Sequence, residues 1–192
     1  QTVVNDYGNT VFRVLQLTGL ISVENKSGVL LISVNENRKD FLMYLLGENF
    51  AVTEDAKENE MLYFTEIGEI TPQLIANIAS YREPESLVLT NYNAVLHKVI
   101  CDYSITEEKI VDMIKSITSD NKEKLFWYIQ KPLKLEFFIS ILICLKYGDE
   151  YIVKPNYKAD DKGIPYQHAP GNIGDINITS DTTNWLIEVT LI

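Results

Sequence analysis

Two carboxylates close to the end of the sequence have the spacing of a metal-binding pair. Asp175 and Glu188 lie in two short, alternating apolar runs around a polar loop, GDINITSDTTNWLIEVT, Gly174 to Thr190. A hairpin with a symmetric turn centred on Asp181-Thr182 pairs residues whose numbers sum to 363, which sets Asp175 directly opposite Glu188. Opposed Cβ atoms in an antiparallel pair lie about 4.5–5.5 Å apart. Like charges at that separation repel, and a half-buried carboxylate also loses its hydration, a penalty of several kcal/mol per ion. A divalent cation offsets both effects, because Mg²⁺ takes oxygen ligands at about 2.0–2.1 Å. The competing reading is a pair of solvated acids on an exposed face. Pattern alone leaves both open.

A third acid, Glu136, sits in a long apolar segment, LKLEFFISILICLKYG. Pro132 suits the first helical position there and Gly148 suits the stop, so Glu136 is expected in the first turn of a deeply packed helix. A carboxylate at that end interacts favourably with the helix dipole by about 0.3–1 kcal/mol, which is a purely structural alternative to a chemical role. His168 precedes the first acidic run and is a candidate for phosphate contact or proton transfer, although loop histidines commonly do neither. His97 reads as a helix-face residue. Lys154, Lys158 and Lys162 cluster before Asp175, where they could meet phosphates. Two histidines and two scattered cysteines make no zinc-finger spacing, and no phosphate-binding glycine loop or nucleophile elbow occurs.

Several elements must position these residues. The run NTVFRVLQLT, Asn9 to Thr18, places Val11, Phe12, Leu15 and Thr18 on one helical face, and Gly19 ends it. LISVENKSGVLLISV then reads as strand, turn at residues 25–28, and strand. A helix followed by a two-stranded ribbon is the closing half of a winged helix. Arg38 to Gly47 is a further short helix capped by Asn35 or Asn37. The acidic stretch from Glu48 to Tyr81 reads as a solvated face or linker, with a helix from Pro72 to Ser80 broken at Glu83-Pro84-Glu85. Ser104 to Glu107 has capping-box spacing and opens a helix to about Ile117, with Ile110, Met113, Ile114 and Ile117 as its apolar stripe. Tyr151 to Lys154 is a strand candidate.

The bulk numbers bound what such a chain can be. With 192 residues, 46% hydrophobic and 23% charged, it is globular and long enough for a sizeable core. A net charge of −10 argues against a broad basic nucleic-acid surface. Cys101 and Cys144, in separate apolar segments, read as reduced, buried thiols of a cytoplasmic protein. There is no signal sequence and no apolar run of membrane length. A start at Gln1 and an end inside an apolar run lead us to expect a fragment of something longer.

Taken together, APGNIGD, twelve residues and EVT resemble the catalytic core of AlwI-type (BstNBI-like) type IIS restriction and nicking endonucleases, members of the PD-(D/E)xK nuclease superfamily. VFRVLQLTGLISVENKSGVLLISVNENRKDFL is similar to the segment which that family places after its DNA-recognition region, and KLEFFISILICLKYG to the helix carrying its early acid. The resemblance implies that Asp175 and Glu188 bind Mg²⁺ and that Glu136 assists through water or metal. Thr190 stands where the superfamily has lysine, and relatives with that departure use a later acid, expected here beyond Ile192, so the site is expected to be incomplete in this chain.

The resulting expectation is an α+β chain. Residues 1–50 form a winged-helix-like end of the recognition and linker region, 51–120 a helical linker, and 121–192 the first helix and strands of a PD-(D/E)xK cleavage domain. Its function would be Mg²⁺-dependent hydrolysis of double-stranded DNA, with no membrane and with a second nuclease subunit or transient dimer for double-strand cleavage. The alternative is a non-enzymatic winged-helix DNA-binding or helical protein-interaction module. Against a DNA-reading helix at residues 9–18, Arg13 is the one basic side chain there.

Overall fold

The structure is a computed structural model describing residues 2–47, 53–80, 91–118, 125–169, 171 and 173–191. Among the described residues, fifteen elements follow from α1 (Thr2–Leu17) to β7 (Asn184–Ile187) in a mixed α+β arrangement. The described residues form two compact units, one of residues 1–37 with 90–192 and one of residues 38–89.

The first unit is organised around α7 (Lys131–Tyr147), the segment with apolar residues all round. Gln130 precedes it in an extended conformation and Pro132 occupies its first turn, where a missing N–H leaves no intrahelical bond unmade. Phe137, Phe138 and Ile141 are fully buried, as is Phe126 in the preceding turn, whose ring meets Phe137 edge-on with centroids 5.3 Å apart. Each such side chain gains about 1.5–3 kcal/mol by leaving water. Gly148 caps the helix as expected, but in a right-handed conformation (φ −65°), its N–H bonding Cys144 O, and not in the left-handed turn of a typical glycine stop.

Two helices pack on α7: α5 (Tyr92–Asp102) and α6 (Glu107–Thr118). The α6 stripe is as anticipated, with Ile110, Met113 and Ile117 buried. Its cap differs: the Lys109 N–H donates to Thr106 Oγ1, while Ser104 takes a positive φ of 48°. On another side lies a three-stranded antiparallel sheet in the order β3 (Ile152–Pro155), β6 (Ile176–Thr179), β7. Ile176 pairs with Ile187 and Thr179 with Asn184, the register expected from the symmetric turn. A small antiparallel pair, β4 (Lys158–Ala159) and β5 (Pro165–Gln167), fills the connection between β3 and β6.

The N-terminal ribbon, β1 (Ile21–Lys26) and β2 (Val29–Val34), turns at Ser27-Gly28 as the sequence suggests. It is held by a carboxylate cage in the β4–β5 connection. Asp160 is 5% exposed and accepts three backbone N–H bonds: Val23 at 3.1 Å, Lys162 at 3.0 Å and Ile164 at 2.9 Å. Ser22 Oγ donates to Asp161, and the Asp161 N–H donates to the buried Asn35 side chain. The helix before the ribbon faces differently from its apolar pattern. Val11 and Leu15 are 59% and 47% exposed, whereas Phe12 is half-buried against Tyr128 and Gln16 is buried. The ribbon and β5 select the Phe12–Gln16 side because Gly19, at φ +68°, turns the chain there. A Cβ on Gly19 would lie 2.5 Å from the Tyr166 ring.

Among its described residues, the second unit is mainly helical. It contains α2 (Lys39–Gly47), α3 (Glu54–Glu58) and α4 (Glu60–Ser80). The acidic run is therefore largely helix surface, and α4 begins twelve residues before Pro72 and runs through it. Thr53 caps α3, and Glu66 of α4 accepts from both the N–H and the hydroxyl of Thr53, joining the two helices. The proposed break at Glu83-Pro84-Glu85 lies outside the described residues.

Candidate active site

Glu136 stands on α7, one turn deeper than the sequence suggests, because the helix begins at Lys131 and has no acid in its first turn. The dipole explanation therefore weakens, since that effect fades beyond the first turn. The residue is 5% exposed. Its Oε1 is 2.6 Å from His168 Nδ1, and its Oε2 is buried with no hydrogen-bond partner. Burial raises the Glu136 pKa, the His168 contact pulls it back, and the charges of Asp175 and Glu188 raise it further. With Glu136 ionised, His168 Nδ1 carries the proton and donates it.

Asp175 and Glu188 each lie one residue outside the β6–β7 ladder, at positions that continue its register. The Asp175 N–H donates to Ile187 O at 3.0 Å, and Asp175 Oδ2 accepts the Val189 N–H at 2.7 Å, so this carboxylate leans across onto the chain beside Glu188. Glu188 is exposed and Asp175 half-buried. Asn156 steadies the approach to Asp175: its N–H donates to Asp175 O at 2.9 Å, and its amide donates to Gly174 O at 3.1 Å. The three acids thus lie within one another's electrostatic field. Among the described residues, however, no three His, Cys, Asp or Glu side chains converge closely enough to hold a metal ion.

The other candidates disperse. Lys162 pairs with Asp161 at 3.0 Å, Lys154 lies over the Tyr92 ring at 5.5 Å, and Lys158 lines a cavity with His168. His97 is exposed on α5, its Nε2 3.8 Å from Cys144 Sγ. Both cysteines are free, but Cys101 is exposed, contrary to the buried pair expected. The Cys144 thiol is pushed up to about 11 by burial, with Asp149 adding to the rise. His168 is the residue whose structural role sequence reasoning undervalued. A histidine in YQHAPGN carries no local mark of a partner 32 positions away.

Residues 99–192 match the family model of the AlwI restriction endonuclease. Over that span the chain is similar to the AlwI restriction endonuclease family, which supports an AlwI-type restriction endonuclease. The AlwI-type span contains α6, α7 and all five strands from β3 to β7, and with them Glu136, His168, Asp175 and Glu188. It places the chain among the nucleases. No curated protein and no solved structure matches the chain. Among the described residues, no helix is long and apolar enough to cross a membrane.

Proposed function

We propose that this chain is part of a site-specific endonuclease that hydrolyses phosphodiester bonds of double-stranded DNA with Mg²⁺, as a type IIS restriction or strand-nicking enzyme. One observation carries the reading. Within the AlwI-type span, Asp175 and Glu188 occupy opposed positions at the end of a hairpin, in the field of a buried Glu136 whose Oε2 has no protein partner. The donor set fits Mg²⁺ in kind, being hard carboxylate oxygens, and the unpaired Oε2 is a free ligand atom. Asp175 and Glu188 would hold the ion, which supplies charge neutralisation at the scissile phosphate and a more acidic water.

The chain's own residues then have distinct tasks. His168 fixes Glu136 through Oε1 and leaves Oε2 as the atom that orients water or takes its proton. Burial and two neighbouring carboxylates raise the Glu136 pKa against the pull of His168, so the group holds a proton more readily than an ordinary glutamate. The β6–β7 hairpin is read as part of a PD-(D/E)xK sheet, and the N-terminal helix and ribbon as a winged-helix-like connection to a recognition region. Double-strand cutting would draw on a second nuclease subunit.

The test is plasmid cleavage by the full-length gene product, with Mg²⁺ and with EDTA, comparing wild type with Asp175→Ala and Glu188→Ala. Each variant is expected to lose at least about a hundredfold in rate, the scale of misplacing one catalytic contact, while specific DNA binding in a gel shift is retained. Cleavage by both variants at the wild-type rate would remove the assignment.

A further inference from the structure

Beside His168, on the side away from the acids' hairpin in sequence, a cavity of about 530 Å³ is lined by residues of α1, of the turn before α7 and of the β4–β5 pair. That volume lies in the range of small-molecule sites and is several times larger than a bare phosphate needs. Its lining includes Arg13, Gln16, Tyr128, Lys158, Tyr166 and His168.

Gln16 points most directly to a ligand. It is 8% exposed, yet its side-chain amide has no hydrogen-bond partner among the described residues. The amide still reaches solvent at the cavity wall, so a ligand entering the cavity would replace water at both its donor and its acceptor. Arg13 and Lys158 give the second indication. The chain has 27 acidic and 17 basic side chains, yet neither of these two cations has an ion-pair partner among the described residues. Both line the same cavity. A third feature agrees: Gln130 makes no side-chain capping bond, so the positive end of α7 is left open on the cavity wall. Tyr128 and Tyr166 add aromatic rings to the lining, and Gly19 lets the Tyr166 ring sit against the backbone.

We propose that this cavity binds one nucleotide unit of the DNA strand, its phosphate between Arg13 and Lys158 and its base against the tyrosine rings with an edge on Gln16. Two cations alone would suit any anion. An aromatic wall with a buried amide that both donates and accepts adds recognition of a base, as in other strand-binding grooves. The proposal rests on the nuclease reading and deepens it. His168 both lines the cavity and bonds Glu136, so a nucleotide held there would anchor the strand next to the acids.

The test is calorimetric titration of the full chain in EDTA with 5′-deoxynucleoside monophosphates, deoxynucleosides and inorganic phosphate. The monophosphates are expected to bind at least tenfold more tightly than either part. Arg13→Gln should weaken the monophosphate by about tenfold and leave the nucleoside unchanged. Gln16→Leu should weaken both, yet keep or raise the thermal midpoint, because it removes an unpaired polar group. Inorganic phosphate binding as tightly as the monophosphate, no monophosphate binding at millimolar concentration, or a Gln16→Leu chain that binds normally would each overturn the proposal. The two readings fail separately. Nucleotide binding with no Mg²⁺-dependent cleavage by the full-length gene product refutes the nuclease reading alone, and cleavage by a gene product that binds no nucleotide refutes the cavity assignment alone.

Discussion

Replacing Asp160 by Asn should change how stability depends on pH. Burial raises the Asp160 carboxyl from an ordinary 3.8 to about 7, against the pull of its three N–H donors and with Asp161 adding to the rise. The native state therefore holds a proton that the unfolded chain has released between those two values. Stability from this group is full below about pH 3.8, falls as pH rises towards 7, and is flat above it. At 1.36 kcal/mol per unit, the fall between pH 5 and pH 8 is about 2.5 kcal/mol. In Asp160→Asn that slope vanishes. The amide oxygen still accepts from Lys162 and Ile164, but an NH₂ group meets the Val23 N–H, so the variant is less stable than wild type at pH 5 and closes most of the gap by pH 8. Urea unfolding followed by tryptophan fluorescence is the assay, since Trp127 and Trp185 both lie in the unit that contains Asp160. With a slope of about 2 kcal/mol per molar urea, the wild-type-minus-variant difference in midpoint should shrink by about 1 M from pH 5 to pH 8. A difference independent of pH would show that Asp160 does not titrate as its burial requires.

Three further outcomes follow from particular contacts. His168→Ala leaves both Glu136 oxygens without a partner and raises the Glu136 pKa further, so the acid limb of the cleavage rate should move to higher pH; a superimposable pH profile would exclude this coupling. Gly174 holds φ +68° immediately before Asp175, so Gly174→Ala should cost about 1–2 kcal/mol in unfolding experiments; an unchanged midpoint would contradict it. In the native protein at pH 8, a thiol reagent should modify exposed Cys101 within minutes and spare Cys144, whose thiol stays protonated; mass spectrometry of the labelled peptides decides.

Features governed by local period and turn chemistry were legible in the sequence. The β6–β7 register followed from one symmetric turn, the α6 stripe from its 3–4 spacing, and the burial of α7 from its composition. Features that depend on which distant segments meet were not. Nothing near His168 announces Glu136, and nothing in α1 says that Gln16, and not Leu15, faces inward. The use of Asp160 to collect the Val23 N–H depends on the ribbon arriving there, which no local pattern around Asp160 announces. The continuous α4 was hidden by Pro72, because a proline is a strong local breaker and only the summed preference of its neighbours carries the helix through.

The distance along the chain between the ribbon and its cage has a consequence for biosynthesis. Ser22 and Val23 meet Asp161 and Asp160 across 139 and 137 positions. At about 5–20 residues per second, a ribosome makes the second partner roughly 7–27 s after the first. Throughout that interval the ribbon's Val23 lacks the core it will enter, and residues 38–89 are completed about half-way through it. The order of synthesis thus completes the inserted unit before the ribbon's carboxylate partners exist.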